Sequence, residues 1–323
     1  MEGTGTTDLE KMYSVSETEF ARWEVVKDLV DEMIDLMLNY RQSGHPGGSR
    51  SKVHLTLATL LSGAMRWDLL RPWRTYADRF VLSAGHTIPL VYACLAVFNE
   101  AMRIRHGRDD DPRFAFPDDG KHALIWEDLL DLRRNGGLSG HAEMEGKTLF
   151  LKWNTGPSGH GMPSAAGQAL ALKRAGCGEV KVFAVEGEGG LTPGASHETR
   201  NTAWGLGLDN LVFLIDWNDF GIDNQPISSV VHGTPQSWFE PCGWRVVGTE
   251  QGSEWGPVTR TVLEAARGEG PAGVPSAAWF KTRKGRGYLK YDNKSHGSPH
   301  AMHSEPFWTL RKQFMERYGV EYE

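Results

Sequence analysis

The sequence predicts an α/β protein with a doubly wound, mostly parallel sheet and helices on both faces. Two short apolar runs, residues 182–185 and 211–215, are rich in β-branched side chains, which is typical of strands buried on both faces. Residues 195–206 between them can form one helix, and this order makes a βαβ crossover that joins parallel strands. A chain of 323 residues is long enough for one large α/β domain with a tail, or for two domains.

The first part of the chain predicts an arm, a long helix and a glycine-rich loop. Residues 1–16 are polar and are expected to form a mobile arm or a partner-binding segment. Apolar residues then recur at spacings of three and four, which predicts a helix over residues 17–40. The glycine-rich loop of residues 43–51 follows, and it leads into an apolar helix over residues 52–65.

The middle of the chain predicts a strand, an irregular segment and a helix. Residues 80–83 form a short apolar run that ends just before His86. Residues 103–122 mix charges of both signs with proline and have no period, so they are expected to form either a surface loop or a partner or substrate lid. Residues 162–173 are rich in alanine and predict a helix.

The last third of the chain continues the alternation of strand and helix. It predicts strands over residues 245–248 and 277–281, a helix over residues 256–267 and a closing amphipathic helix over residues 307–318. The basic cluster within residues 283–286 is expected to be a solvated loop rather than a phosphate-binding element.

Three regions follow from this reading: an N-terminal arm over residues 1–16, one main domain over residues 17–300 and a helical tail over residues 301–323. The composition, 40% hydrophobic and 24% charged, is that of a soluble globular protein. A net charge of −6 gives no general affinity for nucleic acid or membrane. We find no stretch that is apolar enough to span a bilayer and no signal peptide, so a cytoplasmic location is expected.

Two oxygen-bearing side chains follow the two central strands. Glu188 comes after the first and Asn218 after the second, and ligands bind outside the carboxyl ends of parallel strands. The glycine turn over residues 187–190 would let backbone N–H groups approach an anion, which indicates Mg²⁺ with a diphosphate. A dinucleotide fingerprint fits less well because its third glycine would fall at Thr192. An ordinary glycine turn is the alternative.

At these residues the chain resembles the thiamine diphosphate enzymes, and specifically the N-terminal half of transketolase. The family motif is GDG followed about thirty residues later by Asn, and here Gly187, Glu188 and Gly189 precede Asn218 by that distance. Glu188 stands where the family has Asp. The resemblance implies that these four residues bind thiamine diphosphate, and that Glu188, Asn218 and Phe220 bind its Mg²⁺ (or Ca²⁺ or Mn²⁺).

Four histidine-bearing motifs extend the resemblance. SGHPGG contains His45, and DRFVLSAGH, which is similar to the family's DRFVLSNGH, contains His86. GLSGHAE contains His141, and SHGSP, which is similar to the family's His-Gly-Ala-Pro element, contains His296. The resemblance implies that all four contact the reacting substrate, and that His86 and His296 also contact the cofactor. A loop histidine alone would more often be an ordinary surface residue.

A fifth motif, NTGPSGHG, resembles TTGPLGQG, the loop that lies along the diphosphate and thiazolium in this family. The resemblance implies that Gly156, Pro157 and Ser158 contact the cofactor. Two further positions depart from the family: Pro193 replaces a Glu of an acidic path between the two cofactors of a dimer, and Trp217 replaces an acidic residue. The acidic path is therefore expected to be weakened or rerouted.

The resemblance also implies a partner. Thiamine diphosphate needs a carboxylate at its pyrimidine, and transketolases carry that carboxylate in a later domain of the same chain. This chain has about half the family's length. It is therefore expected to be one subunit of a split transketolase that moves a two-carbon ketol unit from a ketose to an aldehyde. The second subunit would carry the pyrimidine-binding and C-terminal domains in an α₂β₂ assembly.

Three alternatives stay open. The first is the α subunit of a 2-oxoacid or acetoin dehydrogenase, which the histidine motifs disfavour. The second is a non-catalytic stabilising subunit, which Glu188 and Pro193 motivate. The third is a transketolase-like enzyme of secondary metabolism with a non-sugar acceptor, which the twelve tryptophans and the insertion at residues 103–122 motivate.

Overall fold

The computed structural model describes residues 7–321 and confirms the predicted doubly wound sheet. Five parallel strands lie in the order β1-β2-β3-β5-β4. The strands are β1 (Arg79–Leu82), β2 (Val182–Gly187), β3 (Leu211–Trp217), β4 (Arg245–Thr249) and β5 (Ser276–Lys281). The two strands that the sequence placed at the centre are neighbours in this sheet.

Ten α-helices lie among the described residues and surround the sheet. They are α1 (Asp8–Glu17), α2 (Phe20–Arg41), α3 (Pro46–Ser51), α4 (Val53–Leu61), α5 (Pro89–Asp109), α6 (Gly161–Arg174), α7 (Gly194–Gly205), α8 (Pro235–Phe239), α9 (Trp255–Arg267) and α10 (Glu305–Tyr318). The predicted helix over residues 52–65 begins within one residue of α4 but is too long, because α4 ends at Leu61. The predicted loop over residues 43–51 is wrong from Pro46 onward, where α3 begins. Proline suits the first turn of a helix because its φ is preset and its missing N–H is not needed there.

The two faces of the sheet carry separate hydrophobic cores. Phe183 and Val185 of β2 pack in one core with α2, α4, α5 and α9. Val182 and Ala184 point the other way and pack with α6, α7 and α8. Alternate strand residues face opposite sides, so a strand buried on both faces reads as a continuous apolar run.

The N-terminal arm is not mobile where the structure describes it. Helix α1 begins at Asp8, and the hydroxyl of Thr7 caps it by accepting a hydrogen bond from the Glu10 amide at 3.3 Å. Tyr13 is buried, and the Arg260 guanidinium of α9 lies 3.6 Å from its ring centroid. The expectation of a mobile arm is therefore wrong for residues 8–16, and residues 1–6 lie outside the described residues.

The segment expected to be irregular, residues 103–122, is partly helical. Helix α5 continues to Asp109, and only then do short 3-10 turns begin at Pro112 and Pro117. Together with the preceding turn, α5 spans Gly85–Asp109 and is long and apolar enough to cross a membrane by length and composition, contrary to the sequence expectation. A buried core helix can have the same length and composition, and 61% of the most apolar part of this helix is buried inside the protein.

Candidate functional site

The predicted crevice lies at the carboxyl ends of β2 and β3. These strands pair so that Gly187 lies beside Asp216, which places Glu188 and Asn218 at adjacent strand ends. The Glu188 carboxylate accepts hydrogen bonds from the backbone N–H groups of Asn218, at 3.1 Å, and of Asp219. The long Glu side chain thus reaches from the end of β2 to the backbone that follows β3.

Glu188 is a buried carboxylate that no Lys or Arg pairs with in the structure described. Its side chain is only 2% exposed. Burial, together with the charge of Asp216, raises the pKa of Glu188 to about 7. A cation bound beside this carboxylate would favour its charged form, which is the behaviour expected of a metal ligand.

Asp216, which the sequence analysis did not single out, is the centre of the crevice. Its Oδ2 atom accepts hydrogen bonds from Ser51 Oγ at 2.6 Å, Lys52 Nζ at 2.8 Å and Asn218 Nδ2 at 2.7 Å, and its Oδ1 atom accepts one from Thr282. Burial alone would raise the pKa of Asp216, but the Lys52 charge and these donors outweigh burial and lower it. Asp216 is therefore a fixed negative charge at neutral pH.

Asp216 also orients Asn218. Because the Asn218 amide nitrogen donates to Asp216, its Oδ1 atom is turned the other way, where it accepts from the Phe220 amide at 3.0 Å. The three predicted metal ligands thus offer a carboxylate, an amide oxygen and the backbone carbonyl of Phe220. Hard oxygen donors of this kind fit Mg²⁺, which usually takes one or two carboxylates and completes its shell with phosphate and water. Within the described residues, no cluster of three or more His, Cys, Asp and Glu side chains offers a different metal site.

Lys284 contradicts the expectation of a solvated basic loop. Its side chain is buried, and its ammonium donates to the carbonyls of Phe220 at 2.7 Å and Gly221 at 2.8 Å. Burial, with the nearby Lys52 charge, lowers the pKa of Lys284 to about 8. Only Arg283 of this cluster is exposed, and it pairs with Asp292 at 2.6 Å.

A second carboxylate that the sequence analysis missed, Glu186, holds the glycine turn in place. It is buried and accepts hydrogen bonds from Ser83 Oγ at 2.6 Å, the Gly159 amide at 2.8 Å and the Gly187 amide at 2.9 Å. A Cβ at Gly190 would collide with the Glu186 carboxyl group, so the turn needs glycine there. Glu186 thereby joins the end of β1, the predicted diphosphate loop and the end of β2.

The predicted diphosphate loop lies against this turn. Gly156 faces open space, Pro157 is exposed and Ser158 is half-buried, so all three are accessible to a ligand. Gly159 has φ +85, and a Cβ there would lie 2.5 Å from the Gly190 carbonyl oxygen and 3.0 Å from Pro193 Cγ. Pro193 therefore serves as packing for this loop.

Three of the four predicted histidines form one group. The ring centroid of His296 lies 5.1 Å from that of His45 and 5.1 Å from that of His86. Burial lowers the pKa of His86 to about 3, with Lys52 and Lys284 adding to the effect, and it lowers the pKa of His296 to about 3, with Lys284 as the next cause. Both rings are therefore neutral at neutral pH.

His141 lies apart from this group. It is exposed, on a loop that is joined to the diphosphate loop by a bridge between Ala142 and Thr155. Its charge is among the causes that lower the pKa of His86, so it lies within electrostatic range of the other three. His160, which follows the diphosphate loop, is exposed.

The chain is similar to transketolases in sequence. The family model described as the transketolase thiamine diphosphate-binding domain matches residues 122–315. Transketolase 2 of Xanthobacter flavus is 30% identical over 270 residues, which cover 80% of this chain and 35% of that protein. Transketolase of Rattus norvegicus is 31% identical over 262 residues, which cover 80% of this chain and 36% of that protein. The chain thus spans about a third of the length of these curated relatives.

Solved structures show the same fold. The transketolase of Campylobacter jejuni superposes with a TM-score of 0.72 at 23% identity, over 92% of this chain and 43% of that one. A mutant transketolase of Pichia stipitis gives a TM-score of 0.74 at 22% identity, over 90% of this chain and 40% of that one. With the family model covering more than half of its residues, this chain belongs to the transketolase family and corresponds to its thiamine diphosphate-binding domain.

Proposed function

We propose that this chain is the diphosphate-binding subunit of a two-chain, thiamine diphosphate-dependent transketolase. The reaction would transfer a two-carbon ketol unit from a ketose, or ketose phosphate, to an aldehyde. One observation carries the proposal: a crevice of hard oxygen donors lies beside a group of three histidines. The oxygens suit a metal bound to a diphosphate, and the histidines suit a polyhydroxylated substrate.

The residues of the crevice would hold the cofactor. Glu188, Asn218 and Phe220 would ligate Mg²⁺ (or Ca²⁺ or Mn²⁺), while residues 156–158 and the glycine turn at 187–189 would contact the diphosphate. When bound, thiamine diphosphate supplies the carbon nucleophile and stabilises the electron pair left by C–C cleavage. The chain itself supplies binding, orientation and a fixed pattern of charge.

The histidines would handle the substrate hydroxyls. A neutral imidazole can donate one hydrogen bond and accept another, so His86 and His296 can hold a hydroxyl or move its proton without carrying charge into the site. His296 Nδ1 is buried without a hydrogen-bond partner among the described residues, which leaves it available to a ligand. His45 is held by a 3.0 Å contact between its Nδ1 and the Gly297 carbonyl. His141 would contact a substrate hydroxyl from its exposed loop.

The length comparison supports a second subunit. The chain covers 35% of transketolase 2 of Xanthobacter flavus, and a second chain with the pyrimidine-binding and C-terminal parts would account for the remainder of that length. We propose that a second polypeptide supplies them in an α₂β₂ assembly, with the active site between unlike chains.

The test is reconstitution of the two chains. Mixed with its partner, Mg²⁺ and thiamine diphosphate, the protein should release an aldehyde from a ketose donor, and calorimetry should show Mg²⁺-dependent cofactor binding. Turnover of pyruvate alone would instead indicate the α subunit of a 2-oxoacid or acetoin dehydrogenase. Cofactor binding without any turnover would indicate a stabilising subunit. A preference for an aromatic aldehyde over ribose 5-phosphate would indicate a non-sugar acceptor.

A further inference from the structure

Lys52 belongs to none of the predicted motifs, yet it places a positive charge in the crevice. It lies between α3 and α4, and its side chain is 2% exposed. Its ammonium lies 2.8 Å from Asp216 Oδ2 and 3.3 Å from the Gly48 carbonyl oxygen. A Cβ built on Gly187 would be 3.8 Å from the same nitrogen. The ammonium therefore lies against the glycine turn.

Asp216 does not need Lys52 as a hydrogen-bond partner. Ser51, Thr282 and Asn218 already donate to its two oxygens. Burying an ammonium is costly unless the charge is paired, and the residues that follow Lys52 form an apolar, buried helix. Here the Asp216 carboxylate is that pair, so a methionine would leave Asp216 without its countercharge. The pairing offsets the cost of burial, and the remaining N–H of the ammonium is available to the crevice.

The hydrogen bonds of Lys52 leave capacity for a ligand. An ammonium has three N–H donors, and the contacts with Asp216 and Gly48 use two of them. Lys284, the other buried lysine of the crevice, already donates to two backbone carbonyls that belong to the loop after β3. Lys52 lies against the glycine turn that ends β2. The two lysines thus contact different parts of the crevice.

We propose that Lys52 is a binding residue for the diphosphate group, and that its fixed charge lets a diphosphate bind this chain even without a divalent cation. The identity of the ligand rests on the proposed function, but the site itself is defined by the geometry of Lys52, Asp216 and Gly187. Mg²⁺ would then strengthen a site that is already electrostatically prepared for an anion.

Calorimetric titration with inorganic pyrophosphate tests the proposal, because this probe lacks the thiazolium and pyrimidine rings. The purified chain is titrated in EDTA and again in Mg²⁺. We expect wild type to bind in EDTA, Lys52→Met to bind about 30-fold more weakly there, and Lys52→Arg to stay within about threefold of wild type, as for loss or retention of a charged hydrogen bond. Lys27→Met is the matched control, since Lys27 is equally buried but pairs with Glu24 and Asp28 on α2.

Thermal unfolding of each variant shows whether it is folded. If Lys52→Met does not fold, the double variant Lys52→Met/Asp216→Asn removes both charges, and the same loss of binding is expected. Absence of pyrophosphate binding by wild type in EDTA would overturn the proposal. So would binding by Lys52→Met, or by the double variant, that equals binding by wild type. Thiamine diphosphate with Mg²⁺ and the partner chain is titrated in parallel, and failure there alone would reject the proposed function while leaving the Lys52 site intact.

Discussion

Two of the groups of buried charges among the described residues are built differently. One is the crevice between β2 and β3. The other, which we call the Arg50 cluster, consists of Asp31, Asp35, Arg50 and Arg286. Here Arg50 Nη1 lies 2.9 Å from Asp35, Arg286 Nη2 lies 2.8 Å from Asp31, and Arg50 Nε donates to the Arg286 carbonyl at 2.9 Å.

The Arg50 cluster joins α2, α3 and the loop after β5, and each of its charges faces an opposite charge. In the crevice, by contrast, Glu188 has only backbone N–H donors and a neighbouring carboxylate. A cluster whose charges are all paired inside the protein holds elements together, whereas a buried carboxylate without a countercharge is available to a cation. Single substitutions in the crevice should therefore weaken ligand binding, whereas single substitutions in the Arg50 cluster should lower the free energy of unfolding.

The largest contrast is expected between Glu188→Gln and Arg50→Met. Glu188→Gln keeps an acceptor for the backbone amides but loses the charge, so Mg²⁺-dependent binding of thiamine diphosphate should weaken by about 100-fold or more. Arg50→Met leaves Asp31 and Asp35 buried without this partner and should lower the free energy of unfolding by about 4 kcal/mol.

Calorimetry and urea unfolding on both variants check this contrast. Glu188→Gln should lower the free energy of unfolding by no more than about 2 kcal/mol, because its amide nitrogen faces one of the two backbone donors but no charge is left unpaired. Arg50→Met should keep cofactor affinity within a few-fold under conditions where it is folded. If Glu188→Gln lost stability as Arg50→Met does, the distinction between the two groups of charges would be wrong.

The second prediction concerns pH and the Arg50 cluster. Burial, opposed by Arg50 but reinforced by Asp31, raises the pKa of Asp35 from 3.8 to about 7. Between about pH 4 and pH 7 the unfolded chain therefore releases this proton more readily than the folded one, so stability falls as the pH rises and levels off above pH 7. Asp35→Asn removes this contribution.

Urea unfolding of wild type and Asp35→Asn at pH 5 and at pH 8 measures it. The free energy of unfolding of Asp35→Asn minus that of wild type should increase by roughly 3 kcal/mol between these two values. A difference that does not change with pH would mean that Asp35 is already ionised at pH 5.

The sequence predicted β2 and β3 well because each begins with a continuous apolar run that contains β-branched residues, and the end of a strand fixes where the next side chain lies. Glu188 and Asn218 could therefore be placed together from spacing alone. The buried partners could not. Lys52 and Asp216 are 164 positions apart, and the sequence around either residue does not indicate that the two are in contact. A usable signal did exist: Glu186 and Asp216 are charged residues inside apolar strands, and such residues must find buried donors.

Other failures of the sequence analysis have the same origin. The basic neighbours Arg283 and Arg286 favour a solvated Lys284, yet only the folded chain brings the Phe220 carbonyl to its ammonium. Helix α1 was missed because its few apolar residues give a weak period, and Tyr13 is buried only because Arg260 and α9 cover it. Long-range contacts decided both cases.

The third prediction concerns Glu186, which also lies in the crevice. Its carboxylate is hydrogen-bonded to neutral donors, whereas the carboxylates of the Arg50 cluster are paired with arginines. Glu186→Gln should destabilise the protein by about 2 kcal/mol, because an amide nitrogen must now face one of the donors Ser83, Gly159 or Gly187. Urea unfolding measures the loss. Amide hydrogen exchange should show faster exchange at Gly159 than in wild type, while exchange in α2 stays unchanged. Equal acceleration throughout the protein would mean that Glu186 does not act on this loop in particular.

The smallest effect is expected beside the Arg50 cluster, at Tyr288. Its hydroxyl donates to Asn39 Oδ1 at 2.7 Å and accepts from the His300 amide at 3.0 Å. Tyr288→Phe removes both bonds, but the His300 amide still donates to Asn39 Oδ1 at 2.9 Å, so no buried backbone donor is left unpaired. We expect a loss of about 1 kcal/mol in the free energy of unfolding and no change in cofactor affinity. A weaker affinity for thiamine diphosphate in this variant would show that the Arg50 cluster and its surroundings shape the crevice after all, because the ring of Tyr288 lies 5.7 Å from the Arg50 guanidinium and α3 links that arginine to His45.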